Sequence, residues 1–335
     1  MSRRIGAQTL ALDDPPSLLE GASVAGRREG EGPLRRSFDY ISQDPYFGEA
    51  SWEKAESVML RQCFDLACDK AGIAPSELDF ILSGDLLNQC AGSAYALRGL
   101  TAPYLGLYGA CSTMAESLML ASLLIDGCGA KKVAALTSSH FCSAERQFRL
   151  PLEYGGQRSP TAQWTATAAG CAVVGPDGRV KVRGGLVGKI VDLGVKDPAN
   201  MGAAMAPAAA DSIARYLRDT GTAPGDYDGI FTGDLGAVGT ALLYQLLAEE
   251  GVHLQRVHDD CGLLLYDRQR QDVHAGGSGC GCSAAVLCGH LLKRMEQGEL
   301  GDILFCATGA LMSPTSQQQG QSIPGVCHVV HLTAG

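Results

Sequence analysis

From Trp52 to Ala71, apolar residues recur at Ala55, Val58, Met59, Cys63, Leu66 and Ala67. That spacing is close to 3.6 residues and predicts a long amphipathic helix. Gly72 supplies its C-terminal stop, and Ala74-Pro75-Ser76 breaks the pattern. Phe80-Ile81-Leu82 is then wholly apolar, as expected of a strand buried on both faces, and Tyr104-Leu105-Gly106-Leu107-Tyr108 reads as a second such strand. A further helix is predicted from Ala203 to Arg218, then a strand at Gly229-Ile230-Phe231 and a closing strand from Val326 to Leu332. Helices alternating with short apolar strands predict an α/β fold with a mixed, mostly parallel sheet covered by helices. Cys171-Ala172-Val173-Val174 and Val180-Lys181-Val182 flank Gly175-Pro176-Asp177-Gly178, which is a hairpin signal. The first forty residues show little periodicity.

The pattern occurs twice. Asp79-Phe80-Ile81-Leu82-Ser83-Gly84-Asp85-Leu86 is matched by Asp228-Gly229-Ile230-Phe231-Thr232-Gly233-Asp234-Leu235. Even the approach is repeated, Ala74-Pro75-Ser76-Glu77 in one copy and Ala223-Pro224-Gly225-Asp226 in the other. Ala110-Cys111-Ser112 and Gly281-Cys282-Ser283 each open an apolar helical stretch that ends at a glycine. A strand-like run follows each, Val133 to Ser138 and Leu304 to Gly309. The expectation is two pseudo-symmetric halves, residues 1–195 and 196–335, with one pocket between them. The second copy is longer between its Gly-Asp motif and its cysteine, and Val257 to Gly276 falls in that interval as a candidate pocket-edge loop.

A chain of 335 residues can bury a core of this size. Its net charge of −9 argues against nucleic-acid binding and against simple electrostatic adhesion to an anionic membrane. No signal peptide or membrane-spanning helix is expected, since the longest apolar run, Ser117 to Ile125, falls short of the roughly 18 residues a span needs. The 13 cysteines are odd in number, and Cys63, Cys68, Cys128, Cys171, Cys288 and Cys306 sit in apolar segments. They read as reduced, buried thiols rather than a disulfide framework.

Candidate chemistry gathers at strand ends, where parallel sheets form pockets. Cys111 follows a strand and Gly109-Ala110 and opens a helix, whose positive end favours thiolate; the alternative is one more small buried cysteine. His140 ends the Ala134 to Ser139 strand and is either a base for Cys111, a hydrogen-bond donor to a ligand, or structural. Arg146 and Arg149 suit a carboxylate held by paired N–H bonds, or internal ion pairs with Glu145 or Glu153. Asp85 and Asp234 are repeat equivalents, and Asp85 with Asn88 makes a polar wall. His274 to Cys282 is a glycine-rich turn without the spacing of a nucleotide-binding loop. Cys280 and Cys282 are too close in sequence for a zinc pair, so no metal site is expected. The glycines instead suit close approach to the Cys111 region.

These features resemble the thiolase superfamily, and within it the stage V sporulation protein AD family. The likeness is carried by Gly84-Asp85-Leu86-Leu87-Asn88-Gln89, Gly109-Ala110-Cys111-Ser112-Thr113, Thr137-Ser138-Ser139-His140 and Ala144-Glu145-Arg146-Gln147-Phe148-Arg149. Met201 to Asp211, Asp260-Cys261-Gly262 and Ala275 to Cys280 add to it. The resemblance implies a thiolase-like fold without thiolase activity. It implies binding of dipicolinic acid (pyridine-2,6-dicarboxylate), free or with calcium, for uptake into the developing spore and release in germination. It further implies a peripheral place at the spore inner membrane beside other stage V sporulation A proteins, and a homodimer.

No cofactor is expected, and calcium only together with dipicolinate, since no calcium loop is visible. The expected ligand-binding residues are Cys111, Ser112, His140, Arg146, Arg149, Asp85, Asn88, Asp234, Ser278 and Cys280. Condensing enzymes of the superfamily need a histidine where this chain has Thr232-Gly233-Asp234, and Asn or His where it has Gly277-Ser278-Gly279. The rival expectation is an acyl-transfer enzyme using Cys111 as nucleophile.

Overall fold

A computed structural model describes residues 2–148 and 157–335. The strands that organise it are β1 (Ser17–Ala25), β2 (Phe80–Gly84), β3 (Tyr104–Gly106), β4 (Val133–Ser139), β5 (Ala168–Gly175), β6 (Val180–Leu186), β7 (Gly229–Thr232), β8 (His258–Asp260), β9 (Asp302–Ala310) and β10 (Gly325–Ala334). The helices that matter here are α1 (Trp52–Ala71), α2 (Ala91–Leu97), α3 (Thr113–Cys128), α4 (Phe141–Phe148), α5 (Met201–Thr220), α6 (Gly236–Glu249) and α7 (Cys280–Val286).

The duplication is visible in strand order. One set runs β3-β2-β4-β5-β1 and the other β8-β7-β9-β10-β6. The senses match as well. The first three strands of each set are parallel, and the last two pair antiparallel. The sets meet where β1 and β6 pair at Leu18–Val180 and Ser17–Lys181.

Local chemistry repeats too. Glu77 accepts from the Ala74 N–H and Asp226 from the Ala223 N–H, each at 2.8 Å, fixing the turn before β2 and before β7. The Asp79 carboxylate accepts from the Lys131 and Lys132 N–H groups at the start of β4. Asp228 accepts from Gly301 and Asp302 at the start of β9 in the same way.

Helix α1 starts and stops where the periodicity predicts, with Gly72 left-handed at φ 65° behind it. It packs on β1, β5 and β4, while α5 packs on β10 and β9. Helix α3 touches strands of both sets and forms the centre of the molecule. Ala110–Cys128 is long and apolar enough to cross a membrane, longer than Ser117 to Ile125 suggested. Here it packs against strands of both sets, with Met114, Leu118 and Met119 buried.

Three expectations are corrected. Strands β5 and β6 do not form a hairpin, because β1 lies between them, and β6 instead opens the second set. Strand β3 is not buried; it is the exposed edge of its sheet. Cys128 is exposed, although all 13 cysteines are free and most are buried.

Candidate functional site

Beyond the C-terminal ends of β2 and β4 lies a cavity of about 830 Å³, bounded by both halves. Pockets of this volume take ligands of ordinary cofactor or drug size. The first half contributes Asp85, Asn88, Cys111 and Phe141, and the second contributes Ser278 and Met312. Backbone strain clusters here. Gln89, Cys90 and Ala110 all have positive φ, at 61°, 50° and 50°. Non-glycine residues in that region are uncommon and tend to mark functional sites.

Ala110 turns the chain so that Cys111 reaches the cavity at the start of α3. Cys280, from the second half, donates its thiol to the Ala110 carbonyl at 3.0 Å. Gly279 makes this approach possible. It has φ +101°, and a Cβ there would stand 2.6 Å from Ser139 Oγ. A short parallel pairing, Gly277–Trp164 and Ser278–Thr165, brings Ser278 and Thr165 to the same wall.

Asp234 is the hub behind that wall. Its carboxylate accepts from Ser278 Oγ, the Gly279 N–H and Thr308 Oγ1, each at 2.9 Å, and the Cys111 thiol lies within its electrostatic reach. Burial pushes its pKa up, and hydrogen bonding opposes the rise. The hydrogen bond with Cys280, burial and the Asp234 charge together push the Cys111 thiol well above its ordinary value. The helix end favours thiolate, as expected from sequence, but these three influences outweigh it. Cys111 is a thiol at neutral pH.

A second carboxyl pair flanks the cavity. Asp85 accepts from the Leu87 N–H at 2.8 Å and the Ser93 N–H at 2.6 Å. Glu56, fully buried, accepts from Ser143 Oγ at 2.7 Å and Ser138 Oγ at 3.2 Å. Burial, then the charge of Asp85, pushes Glu56 up to about 8. Burial also raises Asp85.

Of the residues proposed from sequence, Asp85, Asn88, Cys111 and Ser278 line the cavity. Ser112, Asp234 and Cys280 stand behind it; Ser112 Oγ donates to the Gly109 carbonyl at 2.7 Å. His140 and Arg146 are not among the lining residues. His140 is buried with Nε2 donating to the Pro45 carbonyl at 2.7 Å, so it is no base for Cys111, and burial lowers its pKa. Arg146 pairs with Glu53 and lies 4.9 Å over the Trp52 ring, because α4 directs it towards α1. Arg149 lies outside the described residues. No residue from Val257 to Gly276 lines the cavity; that insertion instead packs on the N-terminal segment, with Tyr266 donating to Glu29. Sequence reasoning missed Phe141, Thr165 and Arg158, which do line it.

Among the described residues, no cluster of His, Cys, Asp and Glu could hold a metal ion.

The fold is that of thiolases and ketoacyl synthases. A 3-oxoacyl-[acyl-carrier-protein] synthase III from Aquifex aeolicus VF5 superposes with a TM-score of 0.57 at 14% identity, over 95% of this chain and 99% of that one. Human mitochondrial 3-ketoacyl-CoA thiolase superposes at 0.54 and 11% identity, over 97% and 99%. At these identities the likeness shows the fold alone. The sequence narrows the class. The family model for stage V sporulation protein AD matches residues 6–333. A protein of that name from Bacillus subtilis (strain 168) is 43% identical over 332 residues, 98% of each chain. The chain belongs to the stage V sporulation protein AD family.

Proposed function

We propose that this protein binds dipicolinate, free or as its calcium complex, in the cavity beside Cys111, and that it does so without catalysis. The observation that carries the non-catalytic part is the neighbour of Cys111. It is the buried Asp234 carboxyl, which stands where a condensing enzyme carries a histidine that polarises a carbonyl. A raised thiol pKa beside a carboxylate suppresses the nucleophile. Asp85, Asn88 and Ser278 give the cavity hydrogen-bonding groups, and calcium arrives with the ligand.

In the spore this binding serves uptake of dipicolinate during development and its release in germination. The protein acts at the inner membrane as a peripheral partner of other stage V sporulation A proteins. A homodimer is part of the same proposal. The free edge of β3 and exposed Leu105 and Tyr108 (46% and 65%) support pairing with a second copy.

Calorimetric titration of the purified chain with dipicolinate, with and without calcium, tests the reading. Saturable binding in either arm is expected, and its absence from both overturns it. The second reading, acyl transfer, is favoured by the cavity-facing position of Cys111 at a helix start. Mass spectrometry after incubation with acetyl-CoA separates the two: an acyl adduct on Cys111 supports the enzyme, and an unmodified Cys111 supports binding.

A further inference from the structure

The cavity has a wall that no part of the reading above uses. Phe141, the first residue of α4, lines it and stacks on Trp164 with ring centroids 3.8 Å apart and planes 10° from parallel. Arg28, anchored on the Asp272 carbonyl at 2.6 Å, lies 3.8 Å over the Trp164 ring. The backbone holds both rings in place: Trp164 N–H donates to the Gly276 carbonyl at 2.8 Å, and Phe141 N–H to Thr167 Oγ1 at 3.1 Å. Arg158 sits at the edge of this stack. Its guanidinium carbon is 5.0 Å from the Trp164 centroid and 5.6 Å from that of Phe141, within cation–π range. It also donates to the Gln163 carbonyl.

Arg158 is the one cation among the described lining residues, which also include the acidic Asp85 and Glu145. Among those described residues, a ligand carboxylate finds a cation at this side chain alone. A guanidinium keeps its charge and offers a planar fork that suits a carboxylate, and the two rings with the Gln163 carbonyl hold it at the cavity wall. An aromatic ring beside it offers a face to a flat ligand.

We propose that Arg158 is the carboxylate-binding and specificity-determining residue of this cavity, with Phe141 as the platform for the ligand's ring. The site therefore selects planar aromatic acids. This rests on the binding function proposed above.

The test is calorimetry of the full chain with pyridine-2,6-dicarboxylate and with pyridine-2-carboxylate, each with and without calcium, for the wild type, Arg158→Gln and Arg158→Lys. Melting curves report whether each variant is folded. Arg158→Gln is expected to weaken dicarboxylate binding at least about tenfold, the size of a lost charge-assisted hydrogen bond. Arg158→Lys keeps the charge without the fork and is expected to weaken it severalfold. Phe141→Leu is expected to reduce both affinities while leaving their ratio close to that of the wild type. If the wild type binds and either folded arginine variant binds equally tightly, the assignment of Arg158 is overturned and the binding function stands. If the wild type binds neither probe with or without calcium, the binding function falls and the assignment falls with it.

Discussion

Cys111 and Cys282 stand at matching points of the two repeats, and so do Asp85 and Asp234, yet their surroundings differ. The first-half members, Cys111 and Asp85, line the cavity. The second-half members, Cys282 and Asp234, are both fully buried. Duplication alone would give two equivalent sites. Here, at matched positions, one copy meets the ligand space and the other holds the wall. Asp234 shows why. Its three hydrogen bonds tie the Ser278-Gly279 turn to Thr308 of a distant strand, whereas Asp85 holds the turn and helix that follow it.

The largest expected difference follows from that contrast. Asp234→Ala leaves buried donors without an acceptor, and it is expected to cost about 3 kcal/mol of stability. Asp85→Ala, with the cavity alongside to admit water, is expected to cost about half as much. Urea unfolding of both variants compares them directly. An equal or larger loss for Asp85→Ala would remove the distinction between wall and lining.

A smaller effect separates the cysteines. Cys282→Ser places a hydroxyl in a fully buried, largely apolar setting and is expected to destabilise by about 2 kcal/mol. Cys111→Ser puts a similar-sized polar group at the cavity wall, where water can reach it, so thermal unfolding is expected to show less than about 0.5 kcal/mol of change. A large loss at Cys111 with little at Cys282 would mean that the repeat roles have been assigned the wrong way round.

Much of the fold was legible because its determinants are local. Helix α1 and its glycine cap follow from periodicity and one left-handed residue. The repeated Pro turns carry their own capping carboxylates, Glu77 and Asp226. Strand order was less legible. Gly175 to Gly178 looks like a hairpin turn, but β1, more than 140 residues away in sequence, takes the place between β5 and β6. The candidate site divides in the same way. Cys111 and Ser278 were readable from their places at helix starts. His140 and Arg146 were not, since their neighbours Pro45, Trp52 and Glu53 lie far away in sequence. Arg158 belongs to no pattern at all. Its place beside the stack of Phe141 and Trp164 emerges in three dimensions.

The last contrast concerns protons. Each aspartate of the pair has a second buried carboxyl nearby: Glu56, pushed up to about 8, acts on Asp85's side, and Asp260, pushed up to about 7, on Asp234's. Burial is the main cause for both. Glu56 has an ordinary value of 4.5, so between that and about 8 the folded chain keeps a proton that the unfolded chain releases. Its stabilising contribution is complete below the ordinary value and is lost as pH rises through about 8. The wild type is therefore expected to melt at a lower temperature at pH 9 than at pH 6. Glu56→Gln can still accept a hydrogen bond from Ser138 or Ser143 but has no proton to lose, so its melting temperature should fall less. The gap between variant and wild type should widen by at least about 1 kcal/mol, roughly one pKa unit's worth. Asp260→Asn should act in the same direction but over a lower range, through about 7. Parallel melting curves for wild type and Glu56→Gln across this range would show that the cavity-side carboxyl is charged in the folded state from low pH upward, and so unlike its counterpart.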